Sequence, residues 1–169
     1  MRSFAVLVTA RLVASAAASA ASFDSPKRKS GLWEIRISSD QAKGVPMVQQ
    51  CVDEKSDDLM GEDMAGGEEL SCSKNEMRRE GDTIVGESVC KVNGSTARTR
   101  AVITGRFDSA YKVNMTVTYE PPLMGMREAS MVMEGTWLGP CKPGQQPGDV
   151  SIPGMPNINM DDIKKGAPK

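Results

Sequence analysis

Residues 110–120 read AYKVNMTVTYE. Tyr111, Val113, Met115, Val117 and Tyr119 alternate with Lys112, Asn114, Thr116, Thr118 and Glu120. A period of two puts the apolar set on one face and the polar set on the other, so this is a strand with one buried side. Upstream, Ala97, Ala101, Ile103 and Phe107 share one parity, while Arg98, Arg100 and Arg106 share the other. A three-residue loop Asp108-Ser109-Ala110 would set Phe107 opposite Tyr111 and Ile103 opposite Met115, apolar on apolar. Downstream, Ala129, Met131, Met133, Gly135 and Trp137 alternate with Ser130, Val132, Glu134 and Thr136. Near the start, Trp33, Ile35 and Ile37 alternate with Glu34, Arg36 and Ser38.

Turn signals separate these runs at Gly81-Asp82 and Asn93-Gly94, the second a strong hairpin signal. Successive strands are therefore expected to pair as antiparallel neighbours. The fold class is mainly β: a meander of about six to eight strands forming a curved open sheet or incomplete barrel. One short helix is expected over Asp53 to Met64, with Asp53 as N-cap and Gly61 limiting its length. After Cys141 the chain turns rich in Pro and Gly, and residues 142–169 are expected to form a flexible tail.

Four cysteines are expected to staple this domain as disulfides. Cys72 and Cys90 lie equidistant from Gly81, so a three-residue loop Glu80-Gly81-Asp82 would bring them face to face within disulfide reach. Cys51 and Cys141 are then left as the second pair; this is one of the three connectivities that four cysteines allow. The same register puts Lys74, Glu76 and Arg78 on the face of Ile84, Ala97 and Ile103, a conflict that a bulge in the Cys72 to Glu80 strand, or a less direct pairing, would resolve. The cysteine gaps of 21, 18 and 51 positions contain no Cys-x-x-Cys and fit no zinc ribbon. Each disulfide is worth about 3 kcal/mol.

The N-terminus carries Arg2, an apolar stretch from Phe4 to Val13 interrupted by Arg11, and a small-residue run from Ala14 to Ser22. That is the layout of a signal peptide over residues 1–21, followed by a leader 22–29 and the β domain 30–141. Lys27-Arg28-Lys29, a basic cluster, reads as solvated. Removal of Arg2 and Arg11 lowers 21 basic residues to 19 against 22 acidic, a net of −3. This gives no electrostatic footprint for nucleic acid. No stretch beyond the signal is long and apolar enough to span a bilayer, and the expected location is periplasmic or secreted from a bacterium.

The chain has no histidine. That removes the commonest general base, the Ser-His and Cys-His nucleophile pairs, and His-based metal sites. Asp57-Asp58, Glu68-Glu69 and Asp161-Asp162 are adjacent in sequence, an arrangement that separates their carboxylates, and they read as solvated charge. No calcium loop or phosphate-binding loop is present. The expectation is a protein that is not an enzyme, with no catalytic residue, cofactor or metal.

Twelve methionines against seven aromatics are an excess. Met is an adaptable core filler and can replace the missing rings. Thioethers are also soft ligands, and Met124-x-Met126 and Met131-x-Met133 suggest a Cu(I) binder. Alternatively Met115, Met131 and Met133, facing the small residues Gly86, Ala97, Ala101 and Gly105, line a recess for an apolar ligand.

The chain resembles a family of small exported bacterial proteins grouped as a domain of unknown function. The resemblance lies in Gly31-Leu32-Trp33-Glu34, Gln50-Cys51, Cys72 and Cys90 around a hairpin, Phe107-Asp108-Ser109-Ala110-Tyr111, Met-rich strands, and Gly139-Pro140-Cys141. It covers Lys29 to Cys141, with departures at Ser30, at Pro140 and in the tail. It implies periplasmic export and a disulfide-bearing β domain, and carries no activity or substrate. The expected role is a binding or interaction module for an apolar ligand or an envelope protein.

Overall fold

The computed structural model describes residues 23, 25–40, 47–55, 57, 71–160 and 162. The expected signal peptide lies outside them. Among the described residues nine strands follow in order: β1 (Gly31–Ser39), β2 (Val48–Val52), β3 (Ser71–Glu80), β4 (Thr83–Val92), β5 (Ser95–Arg106), β6 (Ala110–Leu123), β7 (Met126–Gly139), β8 (Asp149–Ser151) and β9 (Ile158–Asn159). They form one open sheet in the order β3-β4-β5-β6-β7-β1-β2-β8-β9, antiparallel throughout and not closed into a barrel. β3 to β7 are the expected meander, while β1 returns to pair with β7.

The two-residue turn Asn93-Gly94 joins β4 to β5, with φ of 46° and 82°, the left-handed pair that a type I′ hairpin requires. Between β3 and β4 the loop is Gly81-Asp82, not three residues, so Glu80 faces Thr83. On that register alone Cys72 and Cys90 would miss each other by one. A bulge between Cys72 and Lys74 restores them as partners, and it moves Lys74, Glu76 and Arg78 off the face of Ile84 and Ile103. The anticipated bulge thus resolves the charge conflict.

Two expectations are corrected. Phe107 does not face Tyr111: Gly105 does, with Ala101 opposite Met115 and Ile103 opposite Val113. The loop is Phe107-Asp108-Ser109, closed by the Ser109 amide donating to the Arg106 carbonyl at 3.1 Å. The shift is two residues, so every side chain keeps its face. Secondly, no helix starts at Asp53: its carboxylate accepts from the Lys55 amide at 2.9 Å within a turn, and residues 58–70 lie outside the described set. Within the segment after Cys141, Asp149–Ser151 and Ile158–Asn159 form β8 and β9, which extend the sheet beyond β2.

Cross-strand register makes the core face explicit. Ile35, Gly135, Tyr111 and Gly105 form one row; Ile37, Met133, Val113, Ile103 and Ile84 form the next. Trp33, Val52, Ile84, Ile103, Tyr111 and Val113 are the buried cluster, with Phe23, Phe107 and Trp137 packed on it. Five of the seven aromatics therefore gather at one end of the face. Burying a side chain such as Ile84 contributes about 1.5–3 kcal/mol. Both predicted disulfides are formed, Cys51–Cys141 and Cys72–Cys90, with Cα separations of 5.5 and 3.9 Å.

Candidate functional site

The row after the Ile37 row is Ser39, Met131, Met115, Ala101, Gly86 and Met77. Met115 stands directly opposite Met131, and Met133, one row nearer the core, faces Val113. The five clustered aromatic rings lie to one side of this row, in which Met77, Met115 and Met131 are half-buried. Ala101 and Gly86 floor the space between them. Met133, and from this row Met77 and Ala101, pack against the buried cluster, whereas Met115 and Met131 lie at its margin. The four small residues expected to face the methionines divide: Gly86 and Ala101 do, whereas Gly105 pairs with Tyr111 and Ala97 with Tyr119. Met124 lies in the β6–β7 turn and is 91% exposed, so it shares no strand face with Met126.

At the aromatic end sits a polar cluster that sequence reasoning missed. Arg28 and Asp57 are each 3% exposed. The Arg28 backbone amide donates to Asp57 Oδ2 at 2.6 Å, and its Nε and Nη2 donate to Oδ1 at 3.0 and 2.7 Å. Nη1 reaches Gln50 Oε1 at 3.2 Å, and Lys27 Nζ donates to the Asp57 carbonyl. Arg28 Cζ stands 5.9 Å from the Trp33 ring centroid, and Lys29 Nζ lies 3.7 Å from that of Trp137. Two expectations fail here: the basic cluster is not uniformly solvated, and neither is Asp57. No local signal marks them, because the partners are 29 positions apart and each sits among exposed charges. The buried carboxylate accepts three hydrogen bonds from one guanidinium and one amide, so the pair works as a clasp on the fold.

Tyr111 lies beside this clasp, with its ring 5.5 Å from Trp33 and 5.8 Å from Phe107 between centroids. Its hydroxyl is buried with no hydrogen-bond partner among the described residues. Burial pushes its phenol above the usual 10.0, opposed by the nearby Arg28 charge. The ring lies over Gly135: a Cβ there would fall 2.2 Å from Tyr111 Cε1 and 2.3 Å from Cζ. Gly31 is constrained in the same way, since a Cβ would meet the Gly139 carbonyl oxygen at 2.3 Å and Trp137 Nε1 at 2.5 Å.

The other face is charged. Glu87 accepts from Arg100 Nη1 at 2.7 Å, Lys74 Nζ at 2.8 Å and Arg78 Nη2 at 3.2 Å. Hydrogen bonds from Arg78 and Lys74 hold its carboxyl down to about 2. An open groove of about 340 Å³ crosses Gly105 and Gly135, lined by Thr104, Lys112, Glu134 and Thr136 and away from the methionine row. Among the described residues no group of three or more Cys, Asp or Glu side chains is placed to hold a metal, and no helix is long and apolar enough to cross a membrane.

No curated protein and no solved structure matches the chain. Residues 28–141 match the family described as "Protein of unknown function (DUF3617)". The match starts at the buried arginine and ends at the last cysteine, so it spans the meander, both disulfides and the clasp. By that coverage the chain belongs to the DUF3617 family.

Proposed function

We propose that this chain is a noncatalytic module, exported to the periplasm or secreted, that binds an apolar ligand along the methionine row of its core face. The observation that carries the reading is the placement of half-buried Met77, Met115 and Met131 in one row over Ala101 and Gly86. Unbranched thioether side chains repack easily around apolar guests, and small neighbours leave them room. Two disulfides with no free cysteine support an oxidising compartment. The lack of histidine supports a noncatalytic role.

The test is organic extraction of the purified protein with mass spectrometry, followed by titration of the delipidated protein with 1-anilinonaphthalene-8-sulfonate. Co-purifying lipid, or saturable dye binding weakened at least tenfold by Met131→Glu, supports the reading. No extract and no binding sinks it, and recurrent capture of one envelope protein in crosslinked cells would replace it with an interaction role.

A second reading, a Met-based Cu(I) binder, is favoured by the direct Met115–Met131 pairing, which sets two thioethers side by side. Stoichiometric Cu(I) uptake against a competing chelator, lost in Met115→Leu and Met131→Leu, would support it. Equal behaviour of variants and parent would end it.

A further inference from the structure

Among the described residues the sheet has two edges, β9 of two residues and β3 of ten. Among them β3 hydrogen-bonds within the sheet to β4 alone, leaving one row of backbone groups facing outward. Glu80 and Thr83 flank a two-residue turn and so form a hydrogen-bonded pair; alternation then turns the N–H and C=O groups of Glu80, Arg78 and Glu76 toward β4. Those of Asn75, Met77 and Arg79 point outward.

The side chains on the outer face of this edge alternate in sign: Lys74, Glu76, Arg78, Glu80. All are accessible, with side-chain exposures of 36, 63, 42 and 50%. An antiparallel copy centred on Met77 would set Lys74 opposite Glu80 and Glu76 opposite Arg78, and the two-fold axis repeats both pairs. Its backbone pairs, Asn75 with Arg79 and Met77 with itself, are those whose polar groups point outward, so ladder and charges agree. The neighbouring register centred on Glu76 puts Glu76 on Glu76 and Lys74 on Arg78. The register centred on Arg78 repeats the fault with Arg78 on Arg78 and Glu76 on Glu80. Edge charge commonly deters pairing, but here the alternation selects one register of one partner.

We propose that β3 is a self-recognition edge, through which two copies of this chain join by antiparallel β3–β3 pairing into one continuous two-fold-symmetric sheet. The Cys72–Cys90 disulfide fastens the start of this strand to β4. The dimer is expected to weaken as salt rises, because the paired charges lie near the surface.

The test is sedimentation equilibrium of the processed, oxidised protein from micromolar to millimolar concentration. Glu76→Lys and Arg78→Glu each place like charges opposite each other in a homodimer, and each is expected to weaken association at least tenfold. Mixed together they restore every opposite-charge pair, so equimolar mixing should yield a heterodimer. Met77→Pro removes an outward N–H that the intrachain ladder does not use, and should give a folded monomer by circular dichroism. A parent protein that stays monomeric throughout overturns the proposal. So does a dimer indifferent to Met77→Pro, or single variants whose mixture fails to associate.

Discussion

The Arg28–Asp57 clasp gives a sharp prediction for Arg28→Met. The substitution keeps the aliphatic stem but removes the donors that reach Oδ1 at 3.0 and 2.7 Å and Gln50 at 3.2 Å. Asp57, whose side chain is fully buried, then retains, among the described residues, only the residue 28 backbone amide on Oδ2. Two charge-assisted hydrogen bonds at about 1.5–3 kcal/mol each, with a carboxylate left unpaired, agree with the about 3–5 kcal/mol typical of a broken buried pair. Urea unfolding of the oxidised protein is a direct assay, with Trp33 as the fluorescent reporter because its ring lies 5.9 Å from the lost guanidinium. The double variant Arg28→Met with Asp57→Leu removes both charges. It is expected to return to within about 1 kcal/mol of the parent, since an apolar replacement of a buried pair is often neutral. A single-variant loss below about 1 kcal/mol, or a double variant worse than either single, would refute the reasoning.

Gly135→Ala places a methyl inside the Tyr111 ring. It is expected to cost about 1–3 kcal/mol in urea unfolding, and an unchanged midpoint would contradict that contact. Removing both Cys51 and Cys141 opens a link across 90 positions and should cost about 4.6 kcal/mol, against about 3.2 for the 18-position Cys72–Cys90 link, by the chain-entropy relation; a reversed order in paired unfolding curves would argue against that mechanism. The Tyr111 phenol titrates higher in the folded chain than in the unfolded one. Its contribution is therefore intact below the unfolded value near pH 10 and declines as pH rises above it, where the unfolded state ionises first. Tyr111→Phe should leave neutral-pH stability unchanged or higher, because the hydroxyl has no hydrogen-bond partner among the described residues, and should flatten the alkaline decline when unfolding midpoints at about pH 8 and about pH 10.5 are compared.

What was legible in the sequence follows from the range of the interactions involved. Strand faces are written in a period of two, so the parities around Tyr111, Ile103, Met131 and Trp33 translate directly into the rows of the core face. Exact loop length is a weaker signal. Gly105, with φ of 105°, and the Arg106–Ala110 closure set a register two residues from the expected one, and parity cannot detect an even shift. At the first hairpin the charge conflict on β3 did reveal the bulge, because an odd offset flips every side chain. The methionine row was legible as a face, but not the division between core-packed Met133 and marginal Met115 and Met131. That division depends on where five aromatic rings gather.

The clasp was illegible for a related reason. Charge near a chain end is ordinarily solvated, and only the three-dimensional ladder explains why this charge is not. β2 is five residues long and pairs with β8 at only two positions. Its neighbourhood nevertheless collects the Cys51–Cys141 disulfide, the Arg28 hydrogen bond to Gln50, the Gly148 amide donating to the Cys51 carbonyl at 2.9 Å, and the Glu54 amide donating to Ser30 Oγ at 3.2 Å. A ladder this short supplies few cooperative contacts and opens at low free energy unless other links hold it. The meander from β3 to β7 has long ladders, and its ion pairs around Glu87 are exposed ones of little worth. The buried ion pair instead sits where backbone pairing runs out, and the last cysteine of the family match is the one that ties the end of the meander to this short strand.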